Sequence, residues 1–347
     1  MPSAKPARFW LRLDHEASHC PACESPRLVL RDVFKIPRDA RGRRIAFVTV
    51  CRECGLAFAN PLPTEADLRR HYSKDGGGDS YAAARRRRTA TMADRPARVR
   101  DERDVLFDAL APHVPVRRPP PGARVLDFGC GDGKYLDLLQ DAGWETYGIE
   151  PSTDAAFSRH ARLDAPLQDR TFDFAMLHHV LEHVTHPLTV LRQIAGALRA
   201  GGVLFLSVPR LDTLADHGDF KYCLDGRNHV VAFTEASLRY LLTRAGFTGT
   251  VIVESPALDA MLTGGKPLRL RMVAWCGPAE AGHCGPANAA GPSGAAYREA
   301  VRALHRYGRR RDSMLWYLRC MVPVRTRGAF LDRAVERRAR ERRRART

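Results

Sequence analysis

Four cysteines stand in two pairs, Cys20-Pro-Ala-Cys23 and Cys51-Arg-Glu-Cys54. Two intervening residues let both thiolates of a pair reach one tetrahedral ion, and two such pairs close a four-sulfur site with no open position. Cys20, Cys23, Cys51 and Cys54 are therefore the expected ligands of a structural Zn2+ with no catalytic part. Further on, glycines recur at 129, 131 and 133, directly behind the apolar run Arg124–Phe128. Glycine there lets the backbone turn tightly and lets a ligand approach main-chain N–H groups at the start of a helix. The offsets are G-x-G-x-G rather than the G-x-G-x-x-G of a dinucleotide fingerprint. Asp127, two residues before the first glycine, suits a cationic ligand better than a phosphate. Glu150 closes a second apolar run 17 residues beyond Gly133, where a carboxylate can accept both hydroxyls of a ribose.

Such residues need strands that end at the glycine turn and helices that back them. Strands are expected at Val125–Phe128, Thr146–Glu150, Phe172–Leu177, Val203–Val208, Thr250–Glu254 and Leu268–Trp275, the last two as a terminal hairpin split by Thr263-Gly-Gly265. Helices are expected at Lys134–Ala142, Thr153–Ala161, Pro187–Arg199 and Thr234–Ala245. Strands alternating with helices argue an α/β, doubly wound, mostly parallel sheet. Ahead of it, Arg27–Val33 and Arg44–Val50 suit two strands between the cysteine pairs. The resulting division is a zinc-ribbon-like domain at 1–63, a helical connector with a Pro-rich linker at 64–121, a main domain at 122–276, and a loop, helix and Arg-rich tail at 277–347.

In the main domain, Val125-Leu-Asp-Phe-Gly-Cys-Gly-Asp-Gly133, Tyr147-Gly-Ile-Glu-Pro-Ser152, Phe172-Asp-Phe-Ala-Met-Leu-His-His-Val-Leu-Glu-His-Val184 and Leu198-Arg-Ala-Gly-Gly-Val-Leu-Phe-Leu-Ser-Val-Pro209 follow one another. Their order resembles the motifs of the class I S-adenosylmethionine-dependent methyltransferases, over roughly Ala123–Glu254. His229-Val-Val-Ala-Phe-Thr234, and the ribbon with its Asn60-Pro-x-Pro tail, are similar to the branch that methylates small molecules and sugars. The resemblance implies a Rossmann-like fold and S-adenosyl-L-methionine as cofactor. Gly129, Gly131 and Gly133 would line its methionine part, Asp127 would face the amino group and Glu150 would hold the ribose. The loop Leu177–His179, with His178 in it, would lie against the cofactor. For a hydroxyl or acidic-carbon acceptor the implied reaction needs a base, and His183, beside Glu182, and His229 are its candidates. In one respect the chain departs from the family: only 22 residues separate Glu150 from Asp173. The third strand should then be truncated, with Asp164, Leu167 and Asp169 the nearby candidates for contacting adenine.

The formal net charge is +17. It gathers at the ends, because residues 298–347 hold 17 Arg against 5 acids while residues 122–257 hold 12 basic residues against 17 acidic. An acidic middle argues against an RNA methyltransferase that would grip phosphates around its active site. It leaves a small-molecule or sugar acceptor, of the kind used in surface polysaccharide or natural-product assembly, as the expected partner. A binding protein that kept the fold and lost the cofactor is the third alternative. No apolar run approaches the roughly 18 residues of a membrane span, and no secretory leader is visible, so a cytoplasmic enzyme is expected. Nothing in the pattern speaks to oligomeric state.

Overall fold

The computed structural model describes residues 17–33, 47–72, 102–151, 160–163, 172–217, 220–226, 228–277 and 294–306. Its larger sheet contains β4 (Arg124–Phe128), β5 (Glu145–Ile149), β6 (Ala161–Arg162), β7 (Phe172–His178), β8 (Leu198–Pro209), β10 (Gly249–Ile252) and β11 (Arg269–Trp275). Spatial order is β10-β11-β8-β7-β4-β5-β6. The pairs β4–β5, β4–β7, β5–β6 and β7–β8 are parallel. Strand β11 runs antiparallel to both β8 and β10. The chain leaves β4 on one side for β5 and β6, then returns on the other side to β7. The crevice beyond the carboxyl ends of β4 and β7 is thus the topological switch point, where open α/β sheets bind ligands.

Period-two alternation sorts the strand side chains into two cores. Leu126, Ala175, Leu177, Leu204, Leu206, Leu270 and Met272 face one, together with Leu191 and Ile194 of the helix Pro187–Ala197 and Leu238 and Leu241 of the helix Glu235–Ala245. Val125, Phe174, Met176, Phe205 and Val273 face the other, against Leu136 and Leu139 of the helix Lys134–Asp141 and Leu106 and Leu110 of the helix Glu102–Leu110. Helices on both faces make this the expected doubly wound α/β architecture. The helix Glu235–Ala245 is framed as its sequence suggests. Thr234 and Ser237 form a reciprocal capping box, and Gly246 ends the helix in the left-handed region at φ +107°.

A second, four-stranded antiparallel sheet comprises β1 (Leu28–Val33), β2 (Phe47–Cys51), β3 (Ala57–Asn60) and β9 (Val231–Ala232), in that order. It carries both cysteine pairs. Cys20, Cys51, Cys54, Leu56 and Phe58 pack into the first core of the larger sheet. The Asn60 side chain accepts from the Ala17 amide (2.7 Å) and donates to its carbonyl (3.2 Å), tying the incoming chain to the end of β3. A helical stretch at 295–306 buries Ala300, Ala303 and Leu304 against Val48, Val50 and Ala59.

Several expectations are adjusted. The truncated edge strand survives as the two-residue β6, at Ala161–Arg162, where the end of a helix was expected. The buried His160 fixes it, its ring 2.8 Å from Thr146 Oγ1 and 3.2 Å from Asp137 Oδ1. Most of that expected helix, and Asp164, Leu167 and Asp169, lie outside the described residues. The terminal hairpin is not a simple one, since the helix Pro256–Thr263 intervenes between β10 and β11. Its signals were local and short: Ser255 caps the amide of Leu258, Pro256 opens it and Gly264 closes it. The Pro-rich linker that ends the 64–121 segment buries Val114 and Val116, and the Val116 carbonyl accepts the Trp144 indole N–H at 3.0 Å. Among the described residues no helix is long and apolar enough to cross a membrane.

Candidate functional site

Strand β4 ends at the switch point with Asp127, 2% exposed. Burial, and then the charge of Glu150, push its carboxyl up to about 7, with Lys134 opposing. The turn that follows is held from the neighbouring strand, since the amides of Gly129 and Cys130 both donate to the Ile149 carbonyl, at 2.7 and 3.1 Å. Glu150, 7% exposed, accepts the Gly131 amide through Oε2 at 2.9 Å. Gly129, Gly131 and Gly133 all have positive φ, +80°, +58° and +76°, a region costly for residues with a Cβ. The sequence-expected set Asp127, Gly129, Gly131, Gly133 and Glu150 is thus brought into one crevice. Two buried acids beside glycine amides suit a ligand that is cationic at one end and carries hydroxyls at the other.

Strand β7 ends beside this crevice. The ring of His178 lies over Phe205 and edge-on to Tyr135, whose hydroxyl is 3.3 Å from Nε2, while its buried Nδ1 has no hydrogen-bond partner. Burial holds His178 and His179 well below the usual imidazole range, so both are neutral. His179 adopts φ +57°, rare for a side-chain-bearing residue. That turn brings its Nδ1 to 2.9 Å from Oε1 of Glu182, a carboxylate with no solvent exposure whose pKa is raised by burial.

The two candidate bases meet here. His183 and His229 stand edge to face with ring centroids 4.8 Å apart. Nδ1 of His183 lies 2.8 Å from the Asn228 carbonyl, and Nδ1 of His229 lies 2.6 Å from that of Tyr222. A carbonyl only accepts, so both Nδ1 atoms carry the hydrogen, and Nε2 is the nitrogen that accepts in the neutral ring. Burial lowers the pKa of His183 despite the neighbouring Glu182. The second sheet holds this corner by main-chain bonds. The Ala59 amide donates to the Val230 carbonyl and the Val230 amide to the Glu182 carbonyl, at 2.9 and 2.8 Å.

Sulfur positions test the cysteine expectation. Sγ of Cys20 and Cys54, and of Cys23 and Cys51, are 3.6 Å apart, and all four lie within 4.8 Å of one another. An ion with zinc–sulfur bonds of about 2.3 Å at a tetrahedral centre would set its sulfurs about 3.8 Å apart. The donor set fits zinc. Mutual hydrogen bonding among the four thiols pushes Cys51 and Cys23 down and Cys54 and Cys20 up, the division expected where too many sulfurs share one small volume.

Residues 92–251 match the family model described as a methyltransferase domain. This stretch is a methyltransferase domain, and it contains most of the doubly wound sheet described above. A ubiquinone biosynthesis O-methyltransferase of Xanthomonas campestris is 32% identical over 111 residues, 27% of this chain and 46% of the relative. A protein named as a probable S-adenosylmethionine-dependent methyltransferase of Mycolicibacterium smegmatis is 28% identical over 137 residues, 36% of this chain and 52% of the relative. The chain therefore spans about half the length of these curated relatives. Among solved structures, the Burkholderia thailandensis 1,6-didemethyltoxoflavin-N1-methyltransferase, with its substrate and S-adenosylhomocysteine, is 20% identical at a TM-score of 0.42, covering 64% of this chain and 96% of that one.

The methyltransferase domain also uses residues the motifs did not single out. Tyr135 braces His178, and Glu102 pairs with Lys134 at 2.9 Å while Arg103 donates to the Lys134 carbonyl, clamping the start of the glycine-turn helix. These partners lie 31 to 43 positions apart in sequence, and no local pattern announces them. Gly129 is doubly constrained, since a Cβ there would come within 2.4 Å of Val180 Cγ2 as well as sit at positive φ. Gly129→Ala is expected to cost about 2 kcal/mol or more. Urea denaturation should show that loss, and calorimetry a weaker affinity for S-adenosylhomocysteine. Wild-type values for both would remove the close approach of Val180 as a determinant of the turn.

Proposed function

We propose that this chain transfers a methyl group from S-adenosyl-L-methionine to a small-molecule or sugar acceptor, with a structural zinc ion on Cys20, Cys23, Cys51 and Cys54. The observation that carries the reading is the pair of buried acids, Asp127 and Glu150, flanking three positive-φ glycines at the sheet's switch point. Bound there, the cofactor supplies a methyl group on a positively charged sulfur, so the protein's main task is in-line positioning. Asp127 receives the ammonium group, Glu150 the ribose hydroxyls, and the Gly129–Gly133 turn gives the methionine part room against the main chain. His178, neutral and wedged between Tyr135 and Phe205, lines the methyl-bearing side. His183 and His229 present Nε2 lone pairs on the acceptor side, where either can take the proton of a hydroxyl or an acidic carbon. Methionine-derived sulfonium chemistry on a domain with 12 basic against 17 acidic residues, with the excess of positive charge at the two ends of the chain, supports a small acceptor over a polyanion.

Supplying methyl-labelled S-adenosyl-L-methionine with separate pools of sugar nucleotides, small phenols and bulk RNA tests this. Label should enter a small-molecule pool and be lost in Asp127→Asn. Transfer to RNA alone would overturn the acceptor class, and absence of S-adenosylhomocysteine binding would overturn the cofactor.

A further inference from the structure

Glu182, His183 and His229 converge. One ligand atom from each lies within 4.8 Å of the other two, and His183 Nε2 is 3.9 Å from Glu182 Oε1. Both imidazoles place Nδ1 against main-chain carbonyls, which leaves Nε2 as the nitrogen each would offer an ion. Glu182 is fully buried, its Oε1 already accepting from His179 Nδ1, and its buried Oε2 has no hydrogen-bond partner. A buried oxygen left so is costly. Imidazoles whose Nδ1–H is held by a main-chain carbonyl, and a carboxylate oriented by a neighbouring donor, are the outer-shell arrangement of metal ligands.

We propose that Glu182, His183 and His229 form a second metal site, which takes a divalent transition-metal ion of the zinc or iron(II) class. Two imidazole nitrogens and one carboxylate oxygen match that class and differ from the all-sulfur set of the first site. Ligand atoms within 4.8 Å of one another would draw in by up to about 1 Å on binding. Three protein ligands leave at least one position open. If the site is read as the acceptor side of a methyl-transfer centre, that position would take an oxygen of the acceptor and lower its pKa, so that its proton passes to solvent instead of to His183 or His229, whose lone pairs the ion would occupy. Ion binding itself does not depend on that reading.

The full chain, with its four cysteines already loaded with zinc, is titrated with cobalt(II) while its visible spectrum is followed. One further equivalent should bind, with the weak bands of nitrogen and oxygen ligation and without the intense near-ultraviolet band of thiolate ligation. Glu182→Gln and His229→Gln should each weaken that uptake at least about tenfold. His229 is only half-buried, so its variant carries the test even where Glu182→Gln misfolds. No second equivalent in the wild type, or equal uptake by His229→Gln, overturns the site. S-adenosylhomocysteine affinity is measured on the same samples. Its absence would sink the cofactor reading while leaving the cobalt result to stand or fall alone.

Discussion

Exchanging Cys51 and Cys54 together for serine is expected to lower the melting temperature by at least about 10 °C and to abolish methyl transfer. Structural zinc contributes about 10–16 kcal/mol in isolated zinc fingers. Losing only about 4 kcal/mol of such a term moves the transition of a domain of this size by about 10 °C. The loss should not stay local. Cys20, Cys51, Cys54, Leu56 and Phe58 share a core with Leu191 and Leu238 of the methyltransferase domain. Strand β3 also carries the Ala59 amide that holds Val230, one residue from His229, and Val230 in turn holds the Glu182 carbonyl. A ribbon that loosens should therefore release the His183–His229 corner before the glycine turn, whose Gly129, Cys130 and Gly131 amides are held by Ile149 and Glu150 at the end of β5. Scanning calorimetry, zinc content and a methyl-transfer assay on the double variant read all three consequences. A variant without zinc that melts and turns over like the wild type would show the ribbon to be independent of the site.

How much of this could be read from the chain depended on the distance over which each cause acts. The glycine turn, its two acids and the sheet class were legible because each is a local pattern: alternation along β4 and β7, glycines at fixed offsets, a carboxylate at a strand end. The cysteine pairs were legible for the same reason. Strand β3 was not, since Ala57-Phe-Ala-Asn60 is buried on both faces and offers no alternation beside Pro61 and Pro63. Nor was β9, whose two residues form a strand only because β3 lies beside them. The helix Glu102–Leu110 was expected as the end of a helical connector, yet Val105, Leu106, Phe107 and Leu110 close one face of the main sheet. His183 and His229 could be named singly, but their meeting rests on the bonds of the Val230 main chain to Ala59 and Glu182, and the His183 ring is held by a carbonyl 45 positions away. What local pattern cannot encode is which of several buried polar residues end up facing one another.

Asp127→Asn is expected to weaken S-adenosylhomocysteine binding about a hundredfold, the roughly 3 kcal/mol lost when one partner of a buried charged contact is removed. The same change should make the empty protein more stable above neutral pH. Burial and Glu150 raise the Asp127 carboxyl to about 7, whereas an unfolded chain holds it near 4. Its contribution to stability is therefore complete below the unfolded value and is lost as pH rises through about 7, because the folded state must then carry two buried negative charges side by side. Asparagine carries none, so at pH 8 the variant should gain at least about 1 kcal/mol over the wild type in urea denaturation. Ligand binding reverses the preference. An ammonium group beside Asp127 favours the ionised carboxyl, so at pH 7 the wild type should release up to about half a proton on binding. Calorimetric enthalpies in buffers of differing ionisation heat should reveal that proton, with release falling toward zero by pH 9 and absent at every pH in Asp127→Asn. A residue whose removal stabilises the fold while weakening binding serves its ligand and not the fold. Equal affinity and equal proton release in the two proteins would move the cationic end of the ligand away from Asp127 and take the orientation of the whole site with it.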